Sequence, residues 1–183
     1  MRKYLLSLVL LVSTAIAIAQ IPSQVSFPGD ALNLTNSGGA AIRTPVISGL
    51  GATYTLLARE SGSTILLDRA AGIVLTLPAP AAGTYYDLVA TVSVTSNAYK
   101  ISTGTQGTDF FLGPLISDDT DTSDALVGFP CNGTSHDNIS MAGTTTGGLL
   151  GTHIRIKALT STIWHVSGVI NGSGSVATSC STS

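Results

Sequence analysis

Tyr54-Thr55-Leu56-Leu57-Ala58, Thr64-Ile65-Leu66-Leu67 and Ile73-Val74-Leu75-Thr76-Leu77 are three strand-sized apolar runs, punctuated by Ser61-Gly62 and Ala71-Gly72. Runs this short, bounded by turn formers, point to strands rather than helices. Pro78-Ala79-Pro80 closes the series, because proline has no N–H to give to a sheet ladder. Further on, Tyr85 to Val94 reads as a longer strand, and Tyr99 to Thr103 is expected to pair with it across Ser96-Asn97, making a meander of hairpins. The middle, Gly104 to Gly151, is glycine-rich and shows only short pieces, Phe110-Phe111-Leu112 and Ala125 to Phe129, between long loops. Order returns at His153, where Ile154, Ile156 and Ala158 alternate with Arg155 and Lys157, and Ile163 to Ile170 runs back beside them. No segment of useful length with helical periodicity follows residue 19. The chain is therefore expected to be all-β, an antiparallel β-sandwich or jelly-roll-like domain over residues 54–183, with a small β-barrel as the competing architecture.

The residues before this body divide in two. Arg2 and Lys3 precede a nearly charge-free apolar run from Leu5 to Ile18, which ends in the small-residue pattern Ala17-Ile18-Ala19 before Gln20. A basic start, a short apolar centre and such an end are the three regions of a cleaved secretory signal at residues 1–19, and the run is short for a membrane span. Residues 20–53 form the second part, an extended N-terminal arm. Pro22, Pro28, Gly29, Gly38 and Gly39 break any long element there, yet the arm carries Ile21, Val25, Phe27, Leu32 and Leu34. Those apolar side chains are expected to be buried, either on their own domain or across a neighbouring subunit in an assembly.

Composition narrows the class of function. Charged residues are 10% of the chain, against about 25% in an average soluble protein, so hydroxyls and small side chains must cover the surface. Removing Arg2 and Lys3 with the signal takes the formal charge from -2 to -4 and leaves six scattered basic residues of the original eight. That is no stripe for a phosphate backbone, and nucleic acid is not expected as a partner. Cys131 and Cys180 are the only cysteines. In an exported chain an even pair reads as a disulfide, which here would tie the C-terminal tail to the body.

No residue cluster specifies a reaction. Asp118-Asp119-Thr120-Asp121-Thr122-Ser123-Asp124 is the densest run of charge, and its alternating carboxylates make Asp119, Asp121 and Asp124 the candidate ligands for calcium. Counted from Asp119, the sixth and twelfth positions hold Asp124 and Pro130 rather than glycine and glutamate, so an EF-hand loop is absent, and a solvated acidic turn is the competing reading. No other cofactor is indicated. His136, His153 and His165 are candidates for a metal or acid–base role only if the fold brings them together. There is no Gly-x-Ser-x-Gly elbow or phosphate loop, and Glu60 is the sole glutamate for any carboxylate pair. Trp164, set among alternating apolar residues, reads as a core plug. Asn33, Asn132, Asn138 and Asn171 each head an Asn-x-Ser/Thr triplet, which keeps glycan attachment open in a host that glycosylates.

Two stretches, Glu60 to Asp68 and Ala70 to Pro78, followed by Thr95 to Ile101 and Ile163 to Gly168, resemble a β module of structural proteins of tailed bacteriophages, especially marine ones. The resemblance covers roughly Tyr54 to Ile170. It implies a capsid-decorating, head-fibre or tail-associated domain without catalytic residues, and it transfers no site, because the matching positions are core and turn residues. An export signal and a disulfide depart from the habit of virion proteins assembled in the cytoplasm. The expectation is thus a non-enzymatic structural protein of a virion or an extracellular surface assembly, acting as a homo-oligomer or with other structural subunits. Its mature chain has no membrane span, and it is exported to the cell surface or medium, or carried in a virion if the resemblance holds. The alternative is a secreted adhesin or carbohydrate-binding module.

Overall fold

The computed structural model describes residues 44–119 and 126–183. The expected signal at residues 1–19, the arm residues Ile21, Val25, Phe27, Leu32 and Leu34, and the candidate ligands Asp121 and Asp124 lie outside the described residues. The compact β unit runs from Thr44 to Ser183, so its first strands use residues the sequence reading gave to the arm.

Among the described residues the unit has twelve strands, one short 3-10 turn at Ala58–Glu60 and no α-helix. The strands are β1 (Val46–Ile47), β2 (Thr53–Thr55), β3 (Thr64–Leu67), β4 (Ile73–Thr76), β5 (Tyr85–Ala90) and β6 (Tyr99–Ser102). They continue with β7 (Phe110–Asp119), β8 (Val127–Asn132), β9 (Asn138–Met141), β10 (His153–Ala158), β11 (Ile163–Gly172) and β12 (Cys180–Ser181). One sheet has seven strands in the order β1-β3-β5-β10-β11-β7-β8, the other five in the order β12-β9-β6-β4-β2. Packed on each other, they form a β-sandwich.

Pairing departs from the expected meander. From β1 to β6 the chain changes sheet at every strand, and successive strands of each sheet lie side by side in parallel: β1 with β3, β3 with β5, β2 with β4, β4 with β6. In particular β5 and β6, expected as a hairpin, belong to opposite sheets. The turn residues between them build an arch across the sandwich. That arch stacks on the preceding one, with Thr95 N–H donating to Ala70 O at 2.8 Å, Ile73 N–H to Ala98 O at 3.1 Å and the Asn97 amide to Ala71 O at 3.0 Å. The result is a parallel coil with two strands per turn. Later strands pair antiparallel, β7 with β8, β6 with β9 and β5 with β10, and β10 and β11 form the hairpin expected from His153 to Ile170, in register from His153 opposite Val169 to Ala158 opposite Trp164.

The middle of the chain also differs, since β7 is a ten-residue strand rather than a short piece between loops. Gly113-Pro114 hides it in the sequence. Pro114 faces Pro130 of the edge strand β8, and the pairing of β7 with β11 skips both Gly113 and Pro114. Gly113 has φ +135° and a side chain there would meet Val166 O, so only glycine lets the two backbones run together.

A single apolar cluster fills the space between the sheets, with Trp164, Tyr86, Tyr99 and Phe111 as its largest fully buried side chains. Tyr99 OH donates to Leu67 O and Val92 O, and Tyr86 OH to Leu57 O, so both phenols are satisfied inside the core. Burial pushes the Tyr86 phenol up to about 12 and raises that of Tyr99 as well. Trp164 is the expected plug: it is fully buried, 6.1 Å from the Tyr86 ring, and its Nε1 has no hydrogen-bond partner among the described residues.

Candidate functional site

Two groups of polar side chains stand out, one at the end of the sandwich and one on the outer face of the seven-stranded sheet. At the end, Cys131 of β8 is disulfide-bonded to Cys180 of β12, with Cα atoms 5.6 Å apart. The pairing expected from composition is therefore present, and it joins the last strand of one sheet to the last strand of the other. His136 lies beside the bond, its ring nitrogen and the two sulfurs all within 4.8 Å of one another. The turn carrying it is built by Asn132, whose side-chain oxygen accepts from the N–H groups of Thr134, Ser135 and His136, while Asn132 N–H donates to His136 Nδ1.

Asp137 follows immediately and is buried. Its carboxylate accepts from Gly107 N–H at 3.0 Å, from the Asn138 amide at 2.9 Å, and from both the N–H (2.7 Å) and the hydroxyl (2.9 Å) of Ser183. Burial pushes the carboxyl up, but the donors from Ser183 and Gly107 outweigh it and hold its pKa below the usual value. Asn138 is buried too, accepting from the Ser102 hydroxyl at 2.6 Å and the Gln106 amide at 3.1 Å. As a glycan acceptor Asn138 is thus out of reach in the folded protein. The amides of Asn132 and Asn171 donate to Ser135 and to Leu150 O, and Asn33 lies outside the described residues.

On the outer face, Arg155 of β10 stands opposite Asp87 of β5 and binds both carboxylate oxygens at 2.7 Å. The Arg155 hydrogen bonds, helped by its charge and by His153, hold the Asp87 carboxyl below its ordinary pKa. His153 Nε2 lies 3.6 Å from Asp87 Oδ1, and the Arg155 guanidinium sits 5.6 Å over the Tyr85 ring. Tyr85, Gly83, Arg155 and Lys157 line an open depression of about 270 Å³. Because Arg155 is committed to Asp87, this depression offers a ligand the Lys157 ammonium, which has no ion-pair partner among the described residues, and the partly exposed Tyr85 ring.

The structure does not gather the histidines. His153 and His165 share the outer face, but His165 stands opposite Lys157, four residues along β10 from His153. His136 is at the disulfide. Of the calcium candidates, Asp119 ends β7 and the other two lie outside the described residues. The sequence reading missed Asp87, Asp137 and the Asn132 turn. Asp87 opposite Arg155 could have been found only with the β5–β10 register, which joins strands about 70 residues apart. Asn132-Gly133 did signal a turn.

No helix among the described residues is long and apolar enough to cross a membrane. No known protein family, curated protein or solved structure matches the chain.

Proposed function

We propose that this chain is a non-enzymatic structural module of a virion or an extracellular surface assembly, working by packing of its β-domain against copies of itself or other structural subunits. The observation that supports this reading is the use made of five carboxylates among the described residues. Glu60 accepts from Tyr54 OH and Leu57 N–H, Asp68 from Gly49 N–H, Asp87 from Arg155, Asp109 from Thr105 N–H, and Asp137 from Gly107 and Ser183. Each holds a turn, a strand pair or a tail. A chain with only 10% charged residues is also suited to repeated protein contact. Mass spectrometry of purified particles and culture medium, together with light scattering of the isolated protein, tests the proposal. Co-purifying structural subunits or a stable oligomer support it, whereas a monomer at high concentration with no companions in either fraction overturns it.

The depression beside Tyr85 favours a second reading, a secreted adhesin or carbohydrate-binding module, since a half-exposed ring can stack on a sugar face. Glycan binding that Tyr85→Ala abolishes would move this reading to first place.

A further inference from the structure

Among the described residues, cationic side chains gather in one place. Arg59 lies in the 3-10 turn, Arg69 donates to Gly72 O, and Lys100 stands on β6 of the five-stranded sheet. Arg155 and Lys157 instead share the outer face of β10 with His153, and His165 of β11 stands opposite Lys157. Asp87 is the carboxylate set among them, and it faces Arg155. One arginine and one lysine against one carboxylate leave this spot net positive on a chain whose formal charge is -2.

The depression at this spot has the parts of a small anion site. Lys157 stands directly opposite Tyr85 across the β10–β5 pair, so ammonium and ring rise from neighbouring positions of one face. Arg155 gives Asp87 its Nε and one Nη2 hydrogen, while the N–H groups at the other edge of the guanidinium have no hydrogen-bond partner among the described residues. Asp87 thus fixes the plane of a fork whose free edge matches a second carboxylate. The same guanidinium packs 5.6 Å over the Tyr85 ring, so ring and fork hold each other in place. Both stay open to solvent, the Arg155 side chain 56% exposed and Tyr85 37%. Gly83 completes the rim with φ +94° and no atom within 4 Å of where a side chain would start, which leaves that side clear. At about 270 Å³ the depression lies just below the range of drug-sized ligand sites, roughly 300–1,000 Å³, a fit for one ring rather than a long segment.

Resting on the carbohydrate-binding reading of the chain, we propose that this depression binds a carboxylate-bearing pyranose, one hexuronate unit of an acidic polysaccharide. Its carboxylate lies on the Lys157 ammonium and the free edge of Arg155, and its apolar face lies against Tyr85. The net positive charge selects an anion, and the planar fork selects one with paired oxygens. The exposed aromatic ring adds a surface that a bare inorganic anion would not use. An acidic peptide would bring its carboxylates on flexible stems, with side-chain freedom to lose and no ring face for Tyr85.

Calorimetric titration of the full chain with polygalacturonate, alginate and hyaluronan tests the site, with the backbone amide signals of Gly83, Tyr85 and Lys157 as its map. At least one of these polymers is expected to bind and to move those signals. Its methyl ester, which keeps the rings and loses the charge, is expected to bind ~10-fold more weakly or worse, and Lys157→Gln to weaken the acid by a similar factor, as for a lost hydrogen bond to a charged group. Lys100→Gln removes the same charge from the other sheet and is expected to leave the affinity within ~2-fold, because exposed charges beyond a Debye length are screened. Equal losses in the two lysine variants would show general attraction of a polyanion and overturn the proposal. Binding of the ester, or of neutral dextran, as tightly as the acid overturns it too, but leaves the carbohydrate-binding reading standing. Binding of none of these polysaccharides, acidic or neutral, overturns both.

Discussion

Cys131 and Cys180 clamp the last strand of the seven-stranded sheet to the last strand of the five-stranded one, at the end opposite β1 and β2. The bond spans 49 residues, for which the loss of loop freedom in the unfolded chain amounts to about 4 kcal/mol. Replacing both cysteines with serine is expected to lower the melting temperature by on the order of 10 °C for a domain of this size. Intact mass before and after reduction and alkylation checks the bond, and also checks cleavage before Gln20. Two alkylatable thiols in the unreduced protein, or a serine pair that melts with the parent, contradict this account.

Arg155 determines the charge state of Asp87 in acid. A carboxyl whose folded pKa lies below its unfolded value stabilises the protein above the unfolded pKa, near 3.9, and that stabilisation disappears as pH falls through the folded pKa. Arg155→Gln is therefore expected to raise the Asp87 titration midpoint toward the ordinary carboxylate value and to flatten the loss of stability below about pH 4. NMR titration of the Asp87 carboxyl in both proteins measures the first effect. An unmoved midpoint would show that His153 and the strand environment, not Arg155, hold the proton off.

The acidic run after β7 carries a different expectation. Asp119, Asp121 and Asp124 are not required for folding without calcium, because the loop lacks a complete ligand set by sequence. Millimolar calcium should leave the melting temperature within about 1 °C of its starting value, since an ion that binds the native state weakly adds little through mass action. A large rise that Asp121→Ala abolishes would establish a metal site.

Strand identity was legible in this sequence and strand pairing was not. The apolar runs at Thr64–Leu67, Ile73–Thr76, Tyr85–Ala90 and Tyr99–Ser102 are strands, and the alternation from His153 to Ala158 gives the face each residue takes. The partner of each strand depends on whether the turn after it reverses within a sheet or arches to the other one. Ser96-Asn97 and Ala71-Gly72 look alike as turn formers, and only their stacking on each other distinguishes an arch from a hairpin. β7 was missed for a local reason, since Gly113-Pro114 contradicts strand propensity and is tolerated because Val166 O occupies the space where a side chain would stand. The disulfide was legible from cysteine count alone, while the Asp137 and Asp87 interactions needed the register of distant strands.

Asp137 offers the sharpest test of how the C-terminal strand is held. Its carboxylate is buried and receives the N–H and hydroxyl of Ser183, while its own N–H donates to Ser181 O and its carbonyl accepts from Thr103. Asp137→Ala removes the acceptor and leaves Gly107 N–H and the Asn138 amide without it, a loss of roughly 1–3 kcal/mol for buried donors left unsatisfied. Asp137→Asn keeps the shape but replaces one acceptor oxygen with a donor, so it is expected to recover only part of that loss. The pH dependence runs the same way as for Asp87: a depressed folded pKa means the contribution is complete above about pH 4 and vanishes in acid. Denaturant melts at neutral and acidic pH, with hydrogen exchange at residues 179–183, read out both effects. If the alanine variant matches the parent at neutral pH and its tail amides stay protected, the disulfide alone holds β12, and Asp137 is a bystander to the clamp.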